Sequence, residues 1–259
     1  VYNNFFIGEA SMSTFQLPQS SRAIVFLGCA ATGLAIVATS RNSGFSVWLL
    51  ILAFFVSGYL SDLFTGVAHF CFDYVFLYKV PIFGPIAKEF TDHHDHPTLD
   101  PSTYWENLTK GSYASLPLSL SVVGLNSLLP SHYLYFFLIA TLLGMSIWAL
   151  FFHQIHSYAH MGRHMSPEVF KKRADEIALL PTKADQVAAF GQLFDAVPIP
   201  RVIRVLQKSR ILLTPELHNI HHTSFETDFS SVNGWSDPLL NLFVAPLARR
   251  YKSMTDRVR

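Results

Sequence analysis

Ten of the twelve histidines in this 259-residue chain fall into four short motifs, and that placement says more than their number. The first motif is Asp62-x-x-x-Gly66-x-x-His69-x-x-x-Asp73. On a helix, offsets of 4, 7 and 11 from Asp62 keep these residues on one stripe. Two carboxylates and an imidazole in an otherwise apolar segment are costly unless they face a partner or a metal. His69 is therefore a candidate ligand, and Asp62 and Asp73 either ligate with it or pair with basic groups and cap neighbouring helices. The second motif is Asp92-His93-His94-Asp95-His96-Pro97, where adjacent histidines at the start of a helix can reach two different metals. The third is His153-x-x-His156-x-x-x-His160, whose offsets give one helical face. The fourth is His218-Asn219-Ile220-His221-His222, whose offsets of 3 and 4 bring three imidazoles to one face.

Each motif alone is a weak signal, but four of them at one end of a set of hydrophobic helices form a strong one. Neutral imidazole binds zinc, copper, iron and nickel, so ligand type does not choose the metal. The chain has no HExxH, which removes the common zinc-protease reading. Carboxylate-rich ExxH di-iron bundles are not matched either. What remains is a histidine-rich di-metal centre that activates oxygen beside a lipid chain. Removing hydrogen from an unactivated methylene needs an oxidant that no side chain supplies. The protein must then hold two irons, keep an apolar slot for the chain and receive electrons from outside.

The elements that must position these groups read as a membrane bundle. Half the residues are apolar and only 14% are charged, well below the quarter or so of a soluble domain. A formal net charge of +1 gives no basic face for nucleic acid. Cys29 and Cys71 both lie in apolar stretches, which argues against a disulfide framework or a thiol metal site. The first apolar run starts well into the chain and shows no clear signal-peptide cleavage site. Four hydrophobic segments, residues 23–39, 45–78, 112–129 and 133–152, are candidate spans, since about 20 apolar residues cross the hydrocarbon core. The third carries Pro117 and Gly124, and the second and fourth run on beyond the bilayer into polar ends.

Two connections, residues 40–44 and 130–132, are very short, so the segments pair as two hairpins. All their other ends emerge on the opposite side. That side carries 18 of the 19 Lys and Arg residues (all but Arg41) and eleven of the twelve histidines (all but His132). The excess of basic residues favours it as the cytoplasmic or matrix-like side. The fold class expected is all-α: four transmembrane helices with a cytoplasmic-side, histidine-rich di-metal cap. The chain divides into an N-terminal segment (1–22), a transmembrane bundle (23–160) containing a ligand loop (79–111), and a cap (161–259) carrying the HxxHH motif. Residues 201–213 read as a basic amphipathic helix on an anionic membrane surface, or equally as an ordinary surface helix of the cap. Residues 237–247 form a short apolar run that re-enters the interface in the same reading. His132 and His164 read as surface residues.

The strings GVAHFCFD, DHHDHP, QIHSYAH and LTPELHNIHH, followed by Gly234-Trp235, resemble the Kua or CarF-type lipid desaturase family over residues 62–240. Members of that family act on plasmanylethanolamine or on the acyl chain of plastid phosphatidylglycerol. The resemblance implies eight ligating histidines: His69, His93, His94, His156, His160, His218, His221 and His222. It also implies two iron ions (Fe2+), O2 as co-substrate and a small electron carrier, a cytochrome b-type protein or ferredoxin. Zinc can replace iron in purified protein of this kind. The expected enzyme is an oxidoreductase acting on paired donors with O2, with a phospholipid as substrate and a multi-pass location in the endoplasmic reticulum, a plastid or a bacterial inner membrane.

Three features depart from the family pattern. His96 stands where ether-lipid members have Asp, His153 is an added histidine one turn before His156, and the connection between His160 and Arg201 is long. His153 and His96 join Asp62 and Asp73 as further candidate ligands, and His153 could instead orient a ligand through a hydrogen bond. The expected reaction converts a plasmanyl ether lipid to its vinyl-ether plasmalogen, with trans desaturation of a phosphatidylglycerol acyl chain as the alternative. Two non-enzymatic readings stay open. A metal transporter would carry ionisable residues through several spans, and a transmembrane haem protein could pair His69 with His153.

Overall fold

The computed structural model describes residues 19–75, 84, 87, 88, 94, 104–130, 132–160, 167–195 and 199–255. Nothing but helix and its connections occurs among them, as the apolar periodicity predicts. Four long helices form the bundle: α1 (Gln19–Ser40), α2 (Val47–Phe70), α3 (Tyr104–Leu128) and α4 (Tyr133–Ala159). α2 passes directly into a π-helical turn, Cys71–Val75. The segments Ser21–Ser40, Val47–Val75 and Tyr133–Ala159 are long and apolar enough to cross a membrane, with mean hydropathies of 2.0, 1.9 and 2.1.

The third expected span is not among these three segments. Residues 112–128 lie within α3, which starts earlier, at Tyr104, and so holds Glu106 and Lys110 as well as Pro117. Together with its serines, these place α3 outside that apolar group. Its polarity is spent on packing, because Ser112, Ser115 and Ser119 are fully buried against α1 and α4. The Ser119 and Ser146 hydroxyls lie 2.6 Å apart, Ser146 Oγ donates to the Ser115 carbonyl at 3.0 Å, and the Thr32 and Ser119 hydroxyls are 3.0 Å apart. Small polar residues let helices approach closely where apolar solvent gives no hydrophobic drive. Gly111 shows the limit, since a Cβ there would run into the Leu150 carbonyl.

The second and fourth segments do outrun the bilayer. At 1.5 Å per residue, 29 and 27 residues span about 44 and 40 Å, against roughly 30 Å of hydrocarbon. The surplus turns sit at the same end and carry His69, Asp73, His156 and His160.

The long connection after His160 folds as a helical pair, α5 (Pro167–Ala178) and α6 (Lys183–Asp195). Phe170, Ala174, Ile177, Phe190 and Phe194 make its core and close on Ile220. Next comes α7 (Arg201–Lys208), shorter than the expected 201–213 helix. Arg210 adopts a left-handed backbone (φ 56), and Leu212 and Leu213 turn inward onto Trp148, Ile155 and Val232. Burial of those leucines ends the amphipathic pattern. α8 (Pro215–Ser224) starts at a Thr214 cap with Pro215 in its first turn, and α9 (Asp237–Thr255) completes the described chain.

Candidate metal centre

Three elements and one residue between α2 and α3 bring the histidines together. The end of α2 supplies His69, and the π turn supplies Asp73. His156 sits in the last turn of α4, and His160 is its C-cap residue. His218, His221 and His222 come from α8, and His94 from the segment between α2 and α3. Asn219 fixes α8 to the end of α4 by donating to the Ala159 carbonyl at 3.3 Å. The Gln207 amide similarly holds the Tyr158 carbonyl at 3.3 Å.

Two ligand groups result, each with its four donor atoms within 4.8 Å of one another. The first is His156, His160, His218 and His222. Its Nε2 atoms are 2.9 Å apart for His156–His218, 3.1 Å for His156–His160, 2.7 Å for His160–His218 and 3.1 Å for His218–His222. Neighbouring Nε2 atoms of neutral imidazoles repel as lone pairs unless a proton or cation lies between them. Ligand nitrogens about 2 Å from a common ion stand at just such separations. Two i,i+4 pairs, His156/His160 and His218/His222, build this group from helix spacing alone.

The second group is His69, Asp73, His94 and His221. His69 and His94 approach through Nε2 at 3.1 Å. Asp73 lies 3.5 Å from His69 Nε2, 3.7 Å from His221 Nε2 and 3.8 Å from His94 Nδ1. Both Asp73 oxygens and His221 Nε2 are buried without a hydrogen-bond partner among the described residues. Orphaned buried polar atoms facing one point are what a metal would satisfy.

Backbone carbonyls set the tautomers here. His69 Nδ1 lies 3.0 Å from the Phe229 carbonyl, and His221 Nδ1 lies 2.8 Å from the Thr227 carbonyl. A carbonyl only accepts, so each Nδ1 carries the proton and each Nε2 keeps its lone pair for a metal. Ser231 adds its hydroxyl 3.3 Å from His69 Nδ1. Burial pushes the His221 imidazole down to about 4, against smaller raising effects from the Thr227 carbonyl and Asp228. Neutral imidazole is the form that ligates.

The groups adjoin across α8, whose offsets of 3 and 4 send His218 and His222 to one and His221 to the other. The His94 and His222 rings are 4.9 Å apart, and those of His221 and His222 5.8 Å. A donor set of imidazoles plus one carboxylate fits two borderline divalent ions, iron among them.

Seven of the eight expected histidines thus converge, while His93 and His96 fall outside the described residues, as does His164. His153 lies outside both groups with its ring 4.8 Å from that of Phe152. His132 caps α4 at the far end, accepting from the Leu134 amide at 3.2 Å. Cys29 and Cys71 are free thiols. Asp62 is in neither group, and both its oxygens are taken by donors from residues 232–236. Two partners escape the sequence altogether: the Thr227 and Phe229 carbonyls are backbone groups with no residue signature.

No curated protein and no solved structure matches the chain. A model of the lipid desaturase domain, however, matches residues 58–187, half of its length, and covers the α2, loop and α4 histidines. With that match and the histidine geometry agreeing, the chain belongs to the lipid desaturase family.

Proposed function

We propose that this chain is an oxygen-dependent di-iron desaturase whose substrate is the alkyl ether chain of a plasmanyl phospholipid. Its product is then the vinyl-ether plasmalogen. The observation that supports this most is the adjacency of two four-ligand groups at one end of an apolar bundle in a lipid desaturase domain. Bound iron would supply the redox chemistry in which two hydrogens from adjacent carbons combine with O2, two external electrons and two protons to give two waters. A small carrier, a cytochrome b-type protein or ferredoxin, delivers the electrons.

The chain's own residues hold and shape the site. His156, His160, His218 and His222 would hold one ion, and His69, His94, His221 and Asp73 the other, with His93 beside His94 in the sequence as the eighth imidazole. The Phe229 and Thr227 carbonyls keep His69 and His221 in the ligating tautomer. Burial of His69, His218 and His221 excludes water from the ligand atoms. In this reading α3 is a fourth span whose serines are shielded by its neighbours, and the basic excess supports a cytoplasmic-side metal end, in the endoplasmic reticulum or, as alternatives, a plastid or bacterial inner membrane.

Lipid analysis of a host lacking the protein, with and without expression, tests the proposal. Acid-labile vinyl ethers should appear on expression and vanish in His156→Ala. An altered acyl double bond in phosphatidylglycerol would replace the substrate assignment, and accumulation of a hydroxylated lipid would overturn desaturation itself.

A further inference from the structure

Asp62 is fully buried in a membrane-spanning helix, yet it serves neither ligand group. Its Oδ1 accepts from the amides of Val232 (3.1 Å), Asn233 (2.8 Å) and Gly234 (3.1 Å). Its Oδ2 accepts from the Ser236 amide (2.9 Å) and hydroxyl (2.7 Å). The one amide of this run that it misses, Trp235, donates to Asn233 Oδ1 at 3.0 Å. All five consecutive N–H groups of an irregular loop are therefore satisfied without water.

That matters because of where the loop lies. It packs on α2 at Gly58, where Trp235, Asn233 and Trp148 stand 3.1, 3.3 and 3.4 Å from the position of an added Cβ. The Trp235 ring also stacks on Phe55 at 5.8 Å, and its Nε1 donates to the Arg210 carbonyl at 2.6 Å. Gly58 is only eleven residues past the start of α2, or about 16 Å into a hydrocarbon layer roughly 30 Å thick. Irregular backbone survives at such depth only if protein satisfies its polar groups.

α9 leads the chain back out. It starts beside Asp62 and runs in the same direction as α2, with Leu240 over Gly66 and the Tyr251 ring 6.2 Å from that of Phe70. Its inner face (Leu240, Val244 and Ala248) is buried on α2. Its outer face exposes Leu239, Leu242, Phe243 and Leu247 at 40–66%, continuing the exposed apolar surface of α2 at Leu60, Phe64 and Val67. Exposed Arg249 and Arg250 follow, as expected where a chain meets anionic headgroups.

We propose that residues 230–247 form a re-entrant element immersed in the leaflet on the metal side, with lipid acyl chains covering Leu239, Leu242, Phe243 and Leu247. Asp62 acts as its internal hydrogen-bond acceptor in place of water. The proposal holds whichever lipid is the substrate.

The test uses the full chain in vesicles of phosphatidylcholine and phosphatidylglycerol, photolabelled from a diazirine on the lipid tail and, separately, oxidised by hydroxyl radicals from the water phase. Leu179, in the turn between α5 and α6 and 86% exposed, is the water-side reference, and Phe26 of α1, 72% exposed, is the lipid-side one. Lipid-tail label on residues 239–247 at a yield comparable to Phe26, with little oxidation, is expected. Oxidation comparable to Leu179 without lipid-tail label would overturn the proposal. So would protection from both probes, which would mean that protein, such as a second copy of the chain, covers this face.

Discussion

The two ligand groups are built by different means. The all-histidine group comes from the end of α4 and from α8, each giving an i,i+4 pair, with His160 as the α4 C-cap. The group around Asp73 is assembled from the end of α2, a π-helical turn, His94 from between α2 and α3, and α8, and two loop carbonyls hold its tautomers. The first is fixed by helix geometry, whereas the second depends on how the tail folds back over α2. Identical ions in the two groups would therefore sit in unlike surroundings: one among four neutral ligands, the other beside a carboxylate.

The largest effect expected is from His218→Ala, which removes the nitrogen closest to its neighbours in the first group. Desaturation should disappear and bound iron should fall to about one per chain, measured by product analysis and elemental analysis. Full activity in this variant would remove the group from the mechanism. Asp73→Asn comes next, and it separates ligand from bystander. Loss of a ligand or its orienting partner weakens metal binding on the order of 10–100-fold, so iron titration should show one weakened site and one unchanged. Two unchanged sites would mean that Asp73 does not ligate.

Asp62→Asn keeps one accepting oxygen but turns the other into an NH2 that faces donors of the 232–236 loop, and should lower stability by about 1–3 kcal/mol, read as a lower unfolding midpoint. Iron in the first group should survive, while the second group loosens through Phe229.

A smaller, pH-dependent effect follows from His221. Its folded value of about 4 lies below the ordinary 6.5, so between these values the unfolded chain binds the extra proton. Stability of the metal-free protein should fall as pH drops from 6.5 towards 4, and His221→Gln should flatten that slope in a thermal-melt series. The smallest effect is expected from His132→Ala, at the opposite end of α4: it removes a cap worth about 1 kcal/mol or less and leaves activity unchanged.

How much of this was legible in the sequence follows the same division. The two offsets of 4 pointed to the first group, because helical periodicity converts spacing into geometry, whereas the offset-3 neighbours expected on the same faces part from it: His221 joins the second group and His153 neither. The stripe from Asp62 to Asp73 is visible in the sequence as a costly set of polar groups, but periodicity does not separate its members. His69 and Asp73 reach a ligand group, whereas Asp62 grips backbone amides 170 to 174 residues away. Long-range pairing of that kind leaves no local pattern. Nor could hydropathy place α3: its serines and Pro117 lower its apolarity, yet those serines are buried between α1 and α4. The turn at Arg210 was missed because a non-glycine residue in left-handed backbone gives no compositional warning.

The measurement that bears most directly on the central claim is the iron content of the purified protein, loaded anaerobically and determined by elemental analysis. Two irons per chain, falling to one in His218→Ala, is the predicted result. One iron or none in the unaltered, fully loaded protein would contradict a di-iron centre built from these two groups.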